Sequence, residues 1–383
     1  MPVLWRFLLT HYFRVFCLSV LSFLLLLLVT RLDEIAQFAS LGAPVSLLGL
    51  FSLYQMLYIL PIAIPVSGLI ASILLFNRLS ESSELTAMRS SGMSLKQILA
   101  PILLSGLMLS FLNFYIVSEW STSSHLSSKK MVNELKLINP LFLLQNKQLL
   151  RLKDAYVDIS ALYAGEVAHD ALIVLHNQNT KRLNFMAAKT LRLSKQMLYG
   201  DNVSLVSSVD SGDLYNYDHL IIENQRHIAT PASDFSNLLR KSGWQLNNDH
   251  LPFRYLLIRS QEKMQELIKK KNSAEASDLQ KQVQICFSEI ARRFSSALAV
   301  FSFTLMGTAF GIYVERMRSK TALIWVLFLA AFFLSCYFAA KSFEHLFFLS
   351  SSLYFLPQIL LIGLSIFRLR CINQGIPPHE YFG

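Results

Sequence analysis

The sequence predicts an α-helical polytopic membrane protein with six membrane-spanning helices and a β-rich domain inserted between the third and the fourth. Of the 383 residues, 53% are hydrophobic and only 16% are charged, whereas soluble domains average about 25% charged residues. The apolar residues also collect in blocks long enough to cross about 30 Å of hydrocarbon as helices. One long polar stretch divides these blocks into two groups of three.

Six apolar blocks mark the predicted spans. Their predicted bounds are 12–32, 53–76, 97–117, 295–313, 321–341 and 345–368. Pro61 and Pro65 in the second block remove two backbone donors, which predicts a kinked or loosened helix. The N-terminus lacks a small-residue cleavage site after its apolar run, so it is predicted to be a retained span rather than a signal peptide.

The basic residues of the short loops predict the orientation of the chain in the membrane. If the spans alternate, all of these residues fall on one side, which is therefore the cytoplasmic side. They are Arg6, Arg14, Arg78, Arg89, Lys96, Arg316, Arg318, Lys320, Arg368 and Arg370. Both termini are then cytoplasmic, and the net charge of +10 reflects these loops rather than nucleic-acid binding.

Three domains follow from this pattern: a first transmembrane part at 1–117, an outside domain at 118–285 and a second transmembrane part at 286–383. The outside domain is β-rich from Leu149 to about Ile228, with partial alternation of apolar and polar residues. Turn signals rich in Asn, Asp and Gly separate the strands. Several short strands with no helix between them predict an antiparallel sandwich or roll.

Motifs for an enzyme or a nucleotide site are absent from the sequence. The fourteen glycines include no G-x-x-x-x-G-K-[ST], and neither H-E-x-x-H nor G-x-S-x-G occurs. The four cysteines form no C-x-x-C pair, so no metal, cofactor or disulfide framework is predicted. The centres of the second to sixth spans carry essentially no Asp, Glu or His, which argues against a proton-driven pump or an ion channel. This composition favours a protein whose energy comes from a partner chain.

The segment RLSESSELTAMRSSGMSLKQI, between the second and third spans, predicts a short helix at about 82–92. Ser82 or Ser83 is a candidate N-cap, and Gly92 is a candidate C-terminal stop. A helix this short is marginal alone in water. Two interpretations remain open: a loop helix that packs on its own spans, or a helix that docks into a cytosolic protein.

The same segment resembles a loop of lipopolysaccharide export permeases of the LptF/LptG type, whose pattern is L-x-x-x-S-E-L-x-x-[ML]-R-x-x-G-[IMV]-S. NFYIVSEW (Asn113–Trp120) resembles the end of that family's third span, and EIARRFSSALAVFSFTLMGTAFGI (Glu289–Ile312) resembles the start of its fourth. The layout of three spans, an outside domain and three spans is also similar. The stretches ARRF and AAKSFE lean towards the F type.

The resemblance implies a non-catalytic permease subunit in the inner membrane of a Gram-negative bacterium, with a periplasmic β-jellyroll. Implied partners are a cytosolic LptB-like ATPase dimer, a sister permease, LptC-like and LptA-like jellyroll proteins, and lipopolysaccharide. In this resemblance Glu84 matches the glutamate that pairs with an ATPase arginine, and Arg89 matches the basic residue that follows it. Leu85 and Met88 share one face of the same short helix.

Four basic residues near the outer ends of the spans are candidate contacts for the phosphates of the lipid. They are Arg31, Arg292, Arg293 and Lys341. The alternative for each is a simple interfacial anchor. Acidic neighbours, namely Asp33, Glu34 and Glu344, weaken the local positive field.

Three other functions compete with this interpretation. The chain is alternatively a permease for another lipid or a lipoprotein, or a membrane-anchored sensor or scaffold with a ligand-binding β-domain. A sensor needs an output domain, and the tail Cys371–Gly383 is far too short for one. A membrane enzyme ranks last because no nucleophile or metal constellation is evident.

Overall fold

A computed structural model describes most of the chain. The described residues are 2–40, 43–138, 149–151, 155–163, 167–177, 182–194, 197–209, 219–231, 247–269, 276–312 and 320–374. Contacts divide the chain into two compact units. We call Met1–Arg31, Leu53–Leu126 and Leu246–Gly383 the membrane unit, and Leu32–Ser52 and Ser127–Gln245 the β unit.

Within the described residues, six helices are long and apolar enough to cross a membrane, which confirms the six predicted spans. The helices, in chain order, are α1 (Pro2–Val29), α2 (Leu32–Ser40), α3 (Val45–Glu81), α4 (Glu84–Ser90), α5 (Leu95–Tyr115), a π-helix (Ile116–Ser121), α6 (Thr122–Ile138), a 3-10 turn (Asn248–His250), α7 (Phe253–Lys269), α8 (Ala276–Gly311), α9 (Lys320–Ser342) and α10 (Phe347–Gln374).

Small residues let α8 approach α3 and α5 closely. Of the six spans α8 is buried most completely. A Cβ atom added at Gly307 would lie 2.7 Å from the carbonyl oxygen of Leu69, and one at Gly106 would lie 3.0 Å from Thr304 Cγ2. Glycines at such contacts allow helix backbones to pack tightly within a membrane.

Replacing Gly307 by valine is expected to destabilise the membrane unit, because the new side chain meets the backbone of α3. Overpacking of this kind costs about 1–3 kcal/mol. Thermal unfolding of the purified chain in detergent should show a lower midpoint than the wild type. Gly363→Val is the matched control, since no atom lies within 4 Å of a Cβ built at Gly363. Equal midpoints for the two variants would contradict this account of the packing.

The helix α3 continues through both of its prolines. Pro65 has no N–H, so the carbonyl oxygen of Pro61 lacks its usual donor within the helix. Asn113 is fully buried and supplies one: its Nδ2 atom donates to Pro61 O at 3.5 Å and to Ser296 O at 3.0 Å. The side chain of Asn113 therefore joins α3, α5 and α8 at the site of the predicted kink.

The β unit contains a six-stranded antiparallel sheet with the strands in chain order. They are β1 (Leu149–Arg151), β2 (Ala155–Tyr163), β3 (Val167–Asn177), β4 (Arg182–Ser194), β5 (Met197–Val209) and β6 (His219–Pro231). The predicted strands are confirmed. The described strands form one sequential sheet, and the jellyroll stays a prediction.

The pairing of the strands is interrupted along one line, which we call the crease. In β2 and β3 the ladder pairs Ile159 with Ala171 and Ala161 with His169, and the pair between them is skipped. The same gap continues through β4, β5 and β6. The crease residues are Ser160, Asp170, Lys189, Asn202 and Arg226. Asp170 and Asn202 have φ of 49°, a left-handed conformation uncommon outside glycine, so the sheet changes direction here.

The alternation of buried and exposed residues shifts by one position across the crease, from even-numbered to odd-numbered buried residues. We call this change the parity shift. In β3 the buried residues are Ala168 on one side and Ala171 and Ile173 on the other. In β5 the buried apolar side chains are Leu198 and Val203, and Gly200 and Ser207 are buried as well. A regular strand keeps its inward-facing residues two apart. The crease shifts this period, so both halves of these strands direct apolar side chains into a buried interior.

Candidate functional site

The short helix α4 follows α3 after a two-residue turn. Ser83, at the junction, has φ of 57° and makes no side-chain cap. The Oγ atom of Ser82 donates back to Arg78 O at 2.9 Å. Ser83 therefore occupies the predicted N-cap position, and its carbonyl oxygen accepts a hydrogen bond from the N–H of Ala87 at 3.0 Å. The hydroxyl cap that a serine usually provides is absent. The left-handed conformation of Ser83 is typical of a helix C-terminus, here that of α3, and differs from the extended conformation of a capping serine.

The end of α4 agrees with the prediction that Gly92 stops the helix. Gly92 has φ of 87°. Its N–H donates to Arg89 O at 3.1 Å, and the N–H of Met93 donates to Met88 O at 3.3 Å. This pair of bonds is a Schellman motif. Ser94 then caps α5 in a reciprocal arrangement with Gln97.

The four candidate coupling residues differ in exposure. Leu85 is only 5% exposed and packs in the core of the membrane unit with residues of α1, α3 and α5. Glu84 and Met88 are partly exposed, and Arg89 is exposed. The helix is thus anchored to its own spans through Leu85, while its charged residues border the solvent.

An open apolar pocket lies between the start of α1 and α4. It is lined by Val3, Leu4, Phe7, Met88 and Met93. Val3 and Phe7 are exposed at 81% and 41%. Among the coupling candidates, Met88 is the residue that faces this pocket.

Arg292 and Arg293, near the predicted outer end of α8, share one carboxylate. Glu289 accepts two hydrogen bonds from Arg292, at 2.7 and 2.6 Å, and one from Arg293 at 2.9 Å. Arg293 is fully buried and also donates to the carbonyl oxygens of Asn248, at 3.2 Å, and Leu251, at 2.7 Å. Arg292 is 20% exposed and donates to the Tyr337 hydroxyl at 3.1 Å.

Lys341, at the end of α9, lies 3.6 Å from Asp249 of the 3-10 turn. The two side chains are 46% and 34% exposed. Burial raises the pKa of Asp249, but the positive charges of Arg292 and Lys341 outweigh burial and hold that pKa below its usual range. Burial and the charge of Asp249 raise the pKa of Glu344 close by.

Arg31 is held through a column of rings. Its guanidinium lies 5.4 Å from the centre of the Tyr58 ring. Tyr58 stacks on His125 at 4.3 Å, and His125 stacks on His250 at 4.5 Å. A cation over an aromatic face is stabilised by about 0.5–2 kcal/mol. The column connects Arg31 to the same 3-10 turn that Lys341 and Arg293 contact.

All four candidate phosphate contacts are therefore linked to the turn Asn248–His250. Arg293 and Lys341 contact it directly, Arg31 is linked to it through the column of rings, and Arg292 lies close enough for its charge to act on Asp249. Sequence reasoning missed this turn. Asn248, Asp249 and His250 stand in a polar stretch with no periodic pattern, and only their contacts with distant helices distinguish them. No motif in the sequence signals such contacts.

Six spans in two groups of three, with an antiparallel sheet between them in the chain, define a polytopic integral membrane protein. Residues 6–370 match the family described as lipopolysaccharide export system permease LptF/LptG. Since this match covers nearly the whole chain, the chain belongs to the LptF/LptG family. No curated protein matches it significantly.

This family match confirms the resemblance that the sequence between the second and third spans indicated. As a member of the family, the chain is a permease component of the lipopolysaccharide export system. Permease subunits of this family are not themselves catalytic.

Proposed function

We propose that the chain is one of two permease subunits in an ATP-driven exporter that extracts lipopolysaccharide from the inner membrane and passes it to a periplasmic bridge. The observation that carries this proposal is α4: a helix anchored to the core by Leu85 that presents Glu84 and Arg89 to solvent. Such a helix suits the transfer of force from a cytosolic protein to the spans.

In this proposal an LptB-like ATPase dimer binds α4 on the cytoplasmic side. Glu84 pairs with a cation of the ATPase, Arg89 adds a second charged contact, and Met88 contributes an apolar one. Leu85 stays seated among the spans and transmits the movement. Both termini are cytoplasmic, in keeping with the basic residues of the short loops.

The substrate side lies at the outer ends of the spans. We assign phosphate contacts to Arg31 and Lys341, which are partly exposed. Arg292, at 20% exposure, borders the same region. Arg293 supports the site from the interior, because its fully buried guanidinium already binds three acceptors.

Residues 118–285 form the periplasmic domain in this proposal, between the transmembrane parts 1–117 and 286–383. The parity shift at the crease supports a jellyroll, because it directs apolar residues from both halves of the strands inwards. LptC-like and LptA-like jellyroll proteins are its proposed partners for onward transfer.

Reconstitution with the ATPase tests the function directly. The chain is co-expressed with a sister permease and an LptB-like ATPase, purified and placed in liposomes that contain lipopolysaccharide. ATP-dependent transfer of labelled lipopolysaccharide to an LptA-like acceptor is the expected result. Transfer of a labelled lipoprotein or phospholipid alone would support the alternative cargo instead, and failure of the ATPase to associate would refute the proposal.

Replacing Leu85 by alanine is expected to uncouple hydrolysis from transfer. A buried leucine-to-alanine change costs about 2–5 kcal/mol of local packing, so α4 loses its hold on the spans while its exposed face is unchanged. The lipid transferred per ATP hydrolysed should fall about ten-fold.

The matched control is Ser90→Ala, an exposed position on the same helix. It should leave the ratio of transfer to hydrolysis unchanged. A Leu85→Ala variant that keeps the wild-type ratio would show that force does not pass through this contact.

A further inference from the structure

The turn Asn248–His250 is held from several sides. Arg293 donates to the carbonyl oxygens of Asn248 and Leu251, and Asn248 Nδ2 donates to Cys286 Sγ at 3.4 Å. On the far side of Asp249, His250 is 3% exposed and stacks on His125. The backbone on both sides of Asp249 is therefore fixed, and the Asp249 side chain can move by rotation about its own bonds.

The pair between Asp249 and Lys341 is loose. Its N–O distance of 3.6 Å exceeds the roughly 2.7–2.9 Å of a direct charge-assisted hydrogen bond. Both side chains are accessible to solvent, at 34% and 46% exposure. Partly exposed pairs of this kind contribute little stability. The charge of Arg292 also stabilises the Asp249 carboxylate, and an anion that replaces the carboxylate is stabilised by the same two cations.

Among the described residues, the charges around this pair involve three cations and three carboxyl groups. Glu289 binds both Arg292 and Arg293. Asp249 pairs with Lys341, and Glu344 lies close by. When Asp249 turns away, two carboxyl groups remain beside the three cations, and Lys341 loses its ion-pair partner. An incoming anion restores the balance.

We propose that Asp249 is the resident counter-ion of an anion site at Lys341, and that the phosphorylated headgroup of the lipid substrate displaces it. The identity of the lipid rests on the proposed function, whereas the anion site rests on the geometry alone. The phosphate takes the place of the carboxylate beside Lys341, and Asp249 turns to solvent. The turn itself stays in place because Arg293 and His125 hold its flanking residues.

Binding measurements on the full-length chain in neutral phosphatidylcholine nanodiscs test the displacement. The probes are labelled bisphosphorylated lipid A and, separately, phosphatidylglycerol. Asp249→Asn keeps the shape of the side chain and removes its charge, and it is expected to tighten lipid A binding about two- to five-fold. Lys341→Gln should weaken binding, and the double variant should match Lys341→Gln.

Asp278→Asn is the matched control, because Asp278 pairs with Lys281 at the same 3.6 Å on the exposed start of α8. It should leave lipid A binding unchanged. Thermal unfolding midpoints check that each variant is folded, and Asp249→Ser provides a second neutral substitution.

The outcomes separate the two proposals. Unchanged or weaker lipid A binding by a folded Asp249→Asn variant overturns the counter-ion role, as does a gain that persists in the double variant. Tightening with phosphatidylglycerol, in a chain that does not bind lipid A, upholds the anion site and overturns the lipopolysaccharide function.

Discussion

Replacing Glu84 by lysine is expected to abolish association with the ATPase and, with it, ATP-driven lipid transfer. Glu84 lies in the first turn of α4 and is partly exposed, so its carboxylate is available to a cation on a partner. A lysine at this position would repel the cation of the ATPase that Glu84 attracts, and it would add to the positive charge of Arg89. Close charge pairs at protein interfaces have coupling energies of about 1.5–7 kcal/mol. A loss near the middle of that range weakens binding more than 100-fold.

Co-purification of tagged permease with the ATPase measures this effect, and reconstituted lipid transfer measures its consequence. The control is Glu262→Lys, the same reversal at an exposed glutamate in α7. It should leave association intact. If Glu84→Lys still brings down the ATPase at wild-type levels and supports transfer, α4 is not the docking helix.

The spans and strands were predictable because their signals are local. A long apolar run identifies a span without knowledge of its neighbours, and a run of β-branched residues between turn signals identifies a strand. The crease was not predictable from such runs. In the sequence Asp170 and Asn202 are ordinary polar residues, and nothing marks their left-handed conformation. The parity shift at the crease was visible only as an incomplete alternation of apolar and polar residues along the strands.

The cap of α4 shows how local rules compete. Ser83 precedes a glutamate in a helix-forming stretch, which is the usual signature of an N-cap. Ser83 does occupy the N-cap position of α4, but it also ends α3, and in its left-handed conformation it makes no side-chain cap. Sequence preferences for the two roles overlap, and only the chain path decides between them.

The phosphate candidates show the limit of residue-type reasoning. Arg292 and Arg293 are adjacent and chemically identical, yet one is partly exposed and the other is fully buried. Their positions on α8 place one towards Tyr337 and the other towards the turn before α7. The sequence identified both as cations near the membrane surface, but their different surroundings depend on how the helices pack.

Replacing Arg293 by methionine is therefore expected to destabilise the membrane unit severely. The guanidinium binds Glu289 and the carbonyl oxygens of Asn248 and Leu251 with no exposed surface. Its removal leaves buried acceptors without a donor and a carboxylate with one partner fewer. Leaving a buried acceptor without its donor costs about 1–3 kcal/mol for each group. The thermal unfolding midpoint of the purified chain should fall accordingly.

Two companion variants make the prediction specific. Arg293→Lys should recover little, because a single ammonium cannot reproduce the planar fork that reaches three acceptors. Arg292→Met should be milder, since Arg292 is 20% exposed and Arg293 still holds Glu289. An Arg293→Met protein as stable as Arg292→Met would contradict the role of the buried guanidinium. A loss of lipid binding at unchanged stability would instead make Arg293 a direct contact, because a supporting residue acts through the fold it stabilises.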